Sequence, residues 1–485
     1  MMPRLLTPKL SIGASLLLLG ACTAGPDFVA PAPPPPEAGY ASDGGGKAAL
    51  AEGPEQRWWK GFNSPELDAL VDRALARNHS LTASVETLQA ARERIAAVAG
   101  QRLPQIDMNA RAEYQKFNLS AFGLSERFGG ESIGNPKFDL YTVGGGISYD
   151  LDLFGRNRRS LEQAVASAEA EQRKTEAAHL LIAGRVVAQV LAIAALNDRI
   201  ATENALLAEG ERNVNLTEAR QRAGAGTLVE VLSAQGQLAE DRAGLPELEQ
   251  QLAEGRAMLA VLIGVTPAEL GATAFKLDQF ALPAQVPVAL PSALVHKRPD
   301  ILEAEARLHS DIAAIGVATA DLYPDITLGA TLTQSTSEPD RITSSKFNAF
   351  DIFGQLTAPI FHGGTLKAQK RGAEARARAS AATYQQVVLE AFGQVSGLLS
   401  ALETDGRSLS AQQQAVQIAD RSLYLSRRSF QVGNSGILQV LDASRTYQRA
   451  QLALVEARAR QYRNVARLYV ATAGGWIDER AEPAS

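Results

Sequence analysis

A repeat at an offset of 209 residues constrains this chain more than any other feature. Arg220-Gln-Arg-Ala-Gly-Ala-Gly-Thr-Leu-Val-Glu-Val-Leu-Ser-Ala234 aligns with Ser429-Phe-Gln-Val-Gly-Asn-Ser-Gly-Ile-Leu-Gln-Val-Leu-Asp-Ala443, so that Gly224 meets Gly433. A heptad series supports the alignment independently. Val186, Ile193, Ile200, Leu207 and Val214 match Val395, Leu402, Leu409, Val416 and Leu423. After each glycine the return segments continue it, with Val231, Leu238, Leu245, Leu252 and Leu259 against Val440, Tyr447, Leu454, Gln461 and Leu468. Apolar steps of seven on both arms predict long antiparallel coiled helices joined by tight turns at Gly224 and Gly433. A helix from about residue 155 to 222 would reach roughly 100 Å at 1.5 Å per residue, so the pattern predicts a rod or a tube. Toward the turns the flanking seam becomes polar: Asn197, Asn204, Glu211 and Glu218 in one half, Gly406, Gln413, Asp420 and Arg427 in the other. That seam is either a solvated coiled-coil face or a polar lumen of an assembly. Pro246, which faces Val455 across the repeat, predicts a kink in the first return helix.

Before each long helix two strand-like stretches flank a polar loop: 104–117 and 138–153 in the first half, 324–334 and 346–361 in the second. Ile326, Leu328, Ala330 and Leu332 alternate with polar or small residues, as a half-buried strand requires. Each stretch has about the 9–11 residues that a tilted strand needs to cross a bilayer. No stretch of the mature chain has 18 consecutive apolar residues, so no helical span is expected and any crossing must be by strands. A small soluble sheet is the alternative. Four membrane strands cannot close a barrel, because open edges are not tolerated in lipid, so the membrane reading requires oligomerisation.

The N-terminus supplies the compartment. Arg4 and Lys9 precede an apolar run, Leu10 to Leu19, too short to span a bilayer, and Leu19-Gly-Ala-Cys22 closes it with small residues. Residues 1–21 therefore read as a signal peptide, and the Leu-Gly-Ala-Cys order resembles a bacterial lipobox in which Cys22 is lipidated. Thr23, rather than Asp, then implies export to the outer membrane. Residues 22–56, rich in proline and glycine, predict an extended tether. The rest divides into a first repeat at 57–265 with its tip at 222–228, a linker at 266–300, a second repeat at 301–474 with its tip at 431–437, and a tail at 475–485.

Composition excludes several function classes. Lys and Arg number 48 against 53 Asp and Glu, a net charge of -5, and nothing basic is clustered, so no nucleic-acid partner is expected. One cysteine and five histidines, no two of the latter three to five residues apart, exclude a disulfide framework and argue against a metal site. No metalloprotease, nucleophile-elbow, phosphate-loop or dinucleotide motif is present, so the chain is read as a non-enzyme without a cofactor beyond the lipid on Cys22.

The lipobox with Gly25-Pro-Asp-Phe28, the run Trp58-Trp-Lys-Gly-Phe62 leading into Leu67 to Leu81, Pro291-Ser-Ala-Leu-Val-His-Lys-Arg-Pro-Asp-Ile301 with Ala304-Glu305, and the duplicated turns resemble the TolC-like outer membrane factors. The branch is that of the NodT and OprM-like efflux lipoproteins. The resemblance covers nearly all of the mature chain. It implies an α+β membrane protein: a homotrimer with a 12-stranded outer-membrane β-barrel, four strands per chain, continued by a periplasmic α-helical tunnel. An equatorial belt would form from roughly 57–80, 265–300 and the C-terminal end. It also implies a passive exit duct for drugs or other small molecules that docks onto a periplasmic membrane-fusion adaptor and an inner-membrane proton-driven pump of the RND type. Export of proteins or metal ions remains open within the transport class, although Met108 and Met258, the only mature methionines, give no support to a thioether relay. A lipid-anchored structural coiled coil without a pore is the rival from another class.

The resemblance places the two tips where adaptors engage. Gly224, Thr227, Leu228, Val231 and Leu232, with Gly433, Gly436, Ile437, Val440 and Leu441, would offer small apolar docking grooves, or else simply capped turns packed within their hairpins. The family's closed aperture falls at the same tips. Asp442 matches one acidic gate position, Gln439 stands at the other, Ser435 stands where some members carry a basic residue, and Phe430 is where a large side chain narrows the entrance. Asp442 could instead cap or solvate its hairpin, and Phe430 could be a heptad core residue, since Leu423 precedes it by seven.

Overall fold

In the computed structural model the described residues are 23–32, 40, 42, 44–46, 48–51, 53–116, 137–271 and 274–472. Cys22, residues 1–21 read as a signal peptide, residues 117–136 and residues 473–485 lie outside them. The chain forms two compact units, one of residues 1–30, 90–168 and 306–382, the other of 31–89, 169–305 and 383–485.

The first unit holds a four-stranded antiparallel sheet of β2 (Gln105–Lys116), β3 (Lys137–Asp150), β5 (Asp325–Thr336) and β6 (Asn348–Thr357), in the order β2-β3-β5-β6. The strands overlap the four stretches marked by sequence; β3 starts one residue earlier and β5 runs two residues further, while the other ends are trimmed. Thus 151–153 and 358–361 are not strand, and Phe154 stacks on Tyr323 at 4.6 Å beside the sheet's end. At that corner Asp152, at φ 47°, accepts the backbone N–H groups of Asn157 and Arg158 at 2.8 and 2.9 Å, capping the helix that follows.

The helices follow the heptads. α1 (Pro65–Arg77) and α2 (His79–Gly100) precede the sheet; α3 (Arg156–Arg222) and α4 (Leu228–Leu262) form the first hairpin. After α5 (Pro267–Leu270), α6 (Pro291–Lys297) and α7 (Pro299–Ala320), α8 (Thr365–Gln431) and α9 (Ile437–Thr472) form the second. Both long helices have 67 residues. They start at 156 and 365 and end at 222 and 431, which preserves the 209-residue offset at each end. The helix assignment of α4 continues through Pro246.

One expectation needs correcting. Although no 18 consecutive residues are apolar, α3 contains an 18-residue window of mean hydropathy 1.9, enough for a span by composition. Half of that window is buried, and Ile182, Ala183, Val186, Val187, Val190 and Ile193 pack into the second unit's core with Trp59, Phe62, Leu259 and Val395. Burial within the protein accounts for its hydropathy.

The tether is a second correction. Where a free extended segment was expected, β1 (Ala48–Ala51) pairs in parallel with β4 (Val286–Ala289), and the Tyr40 hydroxyl donates to the Ala289 carbonyl at 2.9 Å. Burial pushes the Tyr40 phenol up to about 12 against the opposite pull of Arg298. Backbone hydrogen bonds to β4, with Tyr40 and Ala48 packed against the core, fasten the segment. Arg298 itself, in the motif that carried the resemblance, spans Asp300, the Gln394 side chain and the Ala471 carbonyl, so it binds α6, α7, α8 and α9 together.

Candidate functional site

The sheet sorts its side chains by face. Directly opposed residues in antiparallel strands share a face, and successive residues alternate. The registers Ile106↔Ile147, Ile147↔Ala330 and Ala330↔Ile352, with Gly145↔Leu332 and Leu332↔Phe350, therefore place these residues on one side. Met108, Tyr114, Tyr149, Leu328 and Leu356 join them there, and all the large ones among these are exposed. The other face is mainly polar, with Asp107, Asn109, Arg111, Glu113, Thr142, Thr331, Thr333, Ser335, Asp351 and Gln355 beside Phe138, Leu140 and Phe353, and the Thr142 and Ser335 hydroxyls 3.0 Å apart. Glycines keep this face shallow: a Cβ on Gly144 would come within 2.7 Å of Thr333 Cγ2. An exposed apolar face of this extent is foreign to a surface meant for water. Among the described residues β2 and β6 are the edges of the sheet, each paired on one side only.

The two helix tips lie in the second unit and are built on one backbone pattern. At the first, Gly224 N–H donates to the Gln221 carbonyl and Ala225 N–H to the Arg220 carbonyl, at 3.0 and 2.9 Å. At the second, Gly433 donates to Phe430 and Asn434 to Ser429 at the same distances. This is the Schellman arrangement, and its left-handed residue is glycine both times, at φ 73° and 81°. Thr227 then caps α4 through a reciprocal pair with Glu230, whose carboxylate accepts the Thr227 N–H at 2.9 Å. Gly436, at the equivalent place before α9, has no side chain to do so.

The docking residues divide unequally. Leu228 and Leu232 are exposed at the first tip. Val231, Ile437, Val440 and Leu441 are buried, in part in a cluster with Leu207, Val214, Ala234, Leu238, Leu423 and Phe430. The expectation of two equivalent apolar grooves is thus corrected: four of the named side chains are core. The exposed apolar side chains that sequence reasoning missed are Val229 at the first tip and Val432 and Leu438 at the second. They sit off the heptad seam, which is the signal that could have found them.

Of the two readings of Phe430, the burial favours the heptad core residue. Its ring, 2% exposed, lies beneath the Arg220 guanidinium at 4.3 Å, and Arg220 also donates to the Ala225 carbonyl at 3.1 Å. A buried ring in this position packs the two hairpins together rather than lining an entrance. Asp442 and Gln439 are exposed at the start of α9, and the Asp442 carboxylate makes no hydrogen bond among the described residues. Further polar bonds join the hairpins: Arg427 to Glu209, Arg445 to Gln237, and Gln448 to Asp241 at 2.9 Å. Near the last, Glu203 has its pKa raised by burial and then by the Asp241 charge.

The family model for outer membrane efflux proteins matches residues 70–265 and 290–474. The chain belongs to that family, and it is an outer-membrane efflux channel. It is 31% identical over 476 residues to the pyoverdine export outer membrane protein OpmQ of Pseudomonas aeruginosa, covering 97% of this chain and 98% of that protein. The probable outer membrane lipoprotein SilC of Salmonella typhimurium is 27% identical over 97% of this chain and 99% of its own length. Among solved structures, the outer-membrane channel OprN superimposes with a TM-score of 0.86 at 28% identity, over 94% of this chain and 100% of that one.

Proposed function

We propose that the chain is the exit duct of a tripartite efflux system, working as a homotrimer that conducts small molecules passively to the outside. Three sheets would join edge to edge, β2 of one copy to β6 of the next, into a 12-stranded barrel. The two helical hairpins, read as repeats of one unit, would contribute to a periplasmic tunnel. Leu228, Val229 and Leu232, with Val432 and Leu438, would meet a periplasmic adaptor that leads to an RND-type pump, which supplies the energy. A lipid on Cys22 would anchor the chain, with no other cofactor.

The observation that carries this reading is the four-stranded sheet with one apolar face, one mainly polar face and, among the described residues, two edges paired on one side only. Lipid would cover the first face and water the second, and only closure with other copies satisfies the edges. Three symmetry-related Asp442 carboxylates would ring the narrow end and favour cations. Single-channel conductance of the purified, lipidated protein, wild type against Asp442→Asn, tests this. Long-lived cation-preferring openings that lose part of their selectivity in the variant are expected. A silent bilayer despite verified insertion would favour the poreless structural coiled coil.

A further inference from the structure

The run Gly25-Pro-Asp-Phe28 lies on the surface of the first unit, yet a buried arginine holds it by its backbone. Arg159 of α3 is 4% exposed and spends its donors on it: Nε to the Ala24 carbonyl at 3.1 Å, Nη2 to the Gly25 carbonyl at 3.4 Å and to Asp27 Oδ1 at 2.6 Å. Its Nη1 donates to Glu162 Oε2 at 2.7 Å, the other Glu162 oxygen lies 3.0 Å from His309 Nε2 of α7, and the His309 ring stacks on Phe28 at 4.3 Å. Beneath them Gly25, at φ 89°, lies against Gly316 of α7 so closely that a Cβ would come within 2.5 Å of the Gly316 Cα. A Cβ on Gly316 would strike the Arg159 side chain at 2.7 Å. Upstream, the Ala24 N–H donates to the Phe154 carbonyl at 3.0 Å, and Thr23 fills the space that a side chain on Gly155 would need.

We propose that Thr23 to Phe28 form a docked strap, seated in a cradle of Gly155, Arg159, Glu162, His309 and Gly316, that ties the helix after β3 to the helix before β5 and fixes where the chain's anchored end leaves the protein. Arg159 is its positioning residue. A buried guanidinium is stable only while its donors are paired, and the strap supplies the partners of Nε and Nη2 and covers them. The consequence is reach. Without the strap the chain would be free from residue 22 to the Tyr40 contact, about 18 residues, and an anchor at residue 22 could wander about 23 Å from the body, whereas a strap docked from residue 24 leaves about 7 Å of chain. The statement about the anchor rests on lipidation of Cys22; the docking does not.

Hydrogen exchange at the Ala24 amide in the full-length protein, reconstituted in nanodiscs, tests the docking. Slow exchange is expected in wild type, at least tenfold faster exchange in Arg159→Ala, and a few-fold increase in Phe28→Ala, which removes only the ring on His309. Amides of β5 and of both tips should stay as in wild type; Phe28→Ala keeps the test open if Arg159→Ala perturbs the sheet. Fast exchange in wild type, or no change in either variant, overturns the strap. For the anchor, the mass of the N-terminal peptide reports lipidation. A fluorophore on Val29→Cys, a site 80% exposed, should be quenched by brominated lipids at one depth in the parent and over a spread of depths with Phe28→Ala added. An unlipidated Cys22 with a protected Ala24 would sink the anchor statement alone.

Discussion

The two helix tips share a turn and differ in nearly everything attached to it. Across the 209-residue offset Leu228, 60% exposed, corresponds to Ile437, 0% exposed, and Leu232, 57% exposed, to Leu441, 7% exposed. Gln221 corresponds to Phe430, and the capping pair Thr227 and Glu230 to Gly436 and Gln439. The first tip therefore holds its helix start with side-chain hydrogen bonds and leaves its leucines outward. The second sinks Ile437 and Leu441 into the cluster around Phe430, leaves Val432 and Leu438 outward, and dispenses with the cap. Identical backbone hydrogen bonding is compatible with both, because a Schellman turn asks only for a left-handed glycine and leaves the side chains to the surroundings.

The largest expected break in this comparison comes from Phe430→Ala. Emptying a site that buries a whole ring should destabilise the tip region by about 3–5 kcal/mol, read as a lower denaturant midpoint and faster amide exchange in both hairpins. Gln221→Ala, its counterpart, should stay within about 0.5 kcal/mol. Gly224→Ala and Gly433→Ala should instead cost alike, about 1–2 kcal/mol each, since both residues carry the same positive φ. Unequal losses in thermal melts would mean that the turns are not equivalent after all. Thr227→Ala should lower stability by about 1 kcal/mol through loss of the cap, measurable as fraying of α4 by hydrogen exchange.

The smallest effect concerns Glu203, whose counterpart is Gln412. Its pKa is raised in the folded protein, by burial first and then by Asp241. The protonated form is the one that folding favours, so its contribution is present in full below the ordinary carboxylate range and is lost as pH rises through the raised value. Glu203→Gln should thus melt with wild type near pH 4 and about a degree above it at pH 7. A variant that melts lower at pH 7 would show that the Glu203 charge is used rather than tolerated.

The regular parts of the molecule were legible because they are periodic. Heptads marked α3, α4, α8 and α9, and Gly224 and Gly433 marked the turns, since only glycine settles at such φ values without strain. Alternation in Ile326 to Leu332 located β5, and the other strands followed from the repeat. The inward turn of Ile437 and Leu441 was not legible, because it depends on which neighbouring hairpin covers them. Nor was the Arg220–Phe430 stack, formed by residues 210 positions apart in no periodic relation. The parallel pairing of β1 with β4 and the fit of Gly25 against Gly316 are likewise long-range, and in each the N-terminal partner comes from the segment read as a tether.

The open edges of the sheet carry a consequence for how the protein comes to exist. In the proposed closed barrel, the twelve residues of β2 and the ten of β6, the edges of the sheet among the described residues, take their remaining hydrogen bonds from other copies. In a membrane those groups find no water to replace them, so a lone folded copy is a high-energy species rather than a resting precursor. Completing the sheet and meeting other copies then become one event, and the yield of finished sheet should depend steeply on how many chains arrive at the membrane together.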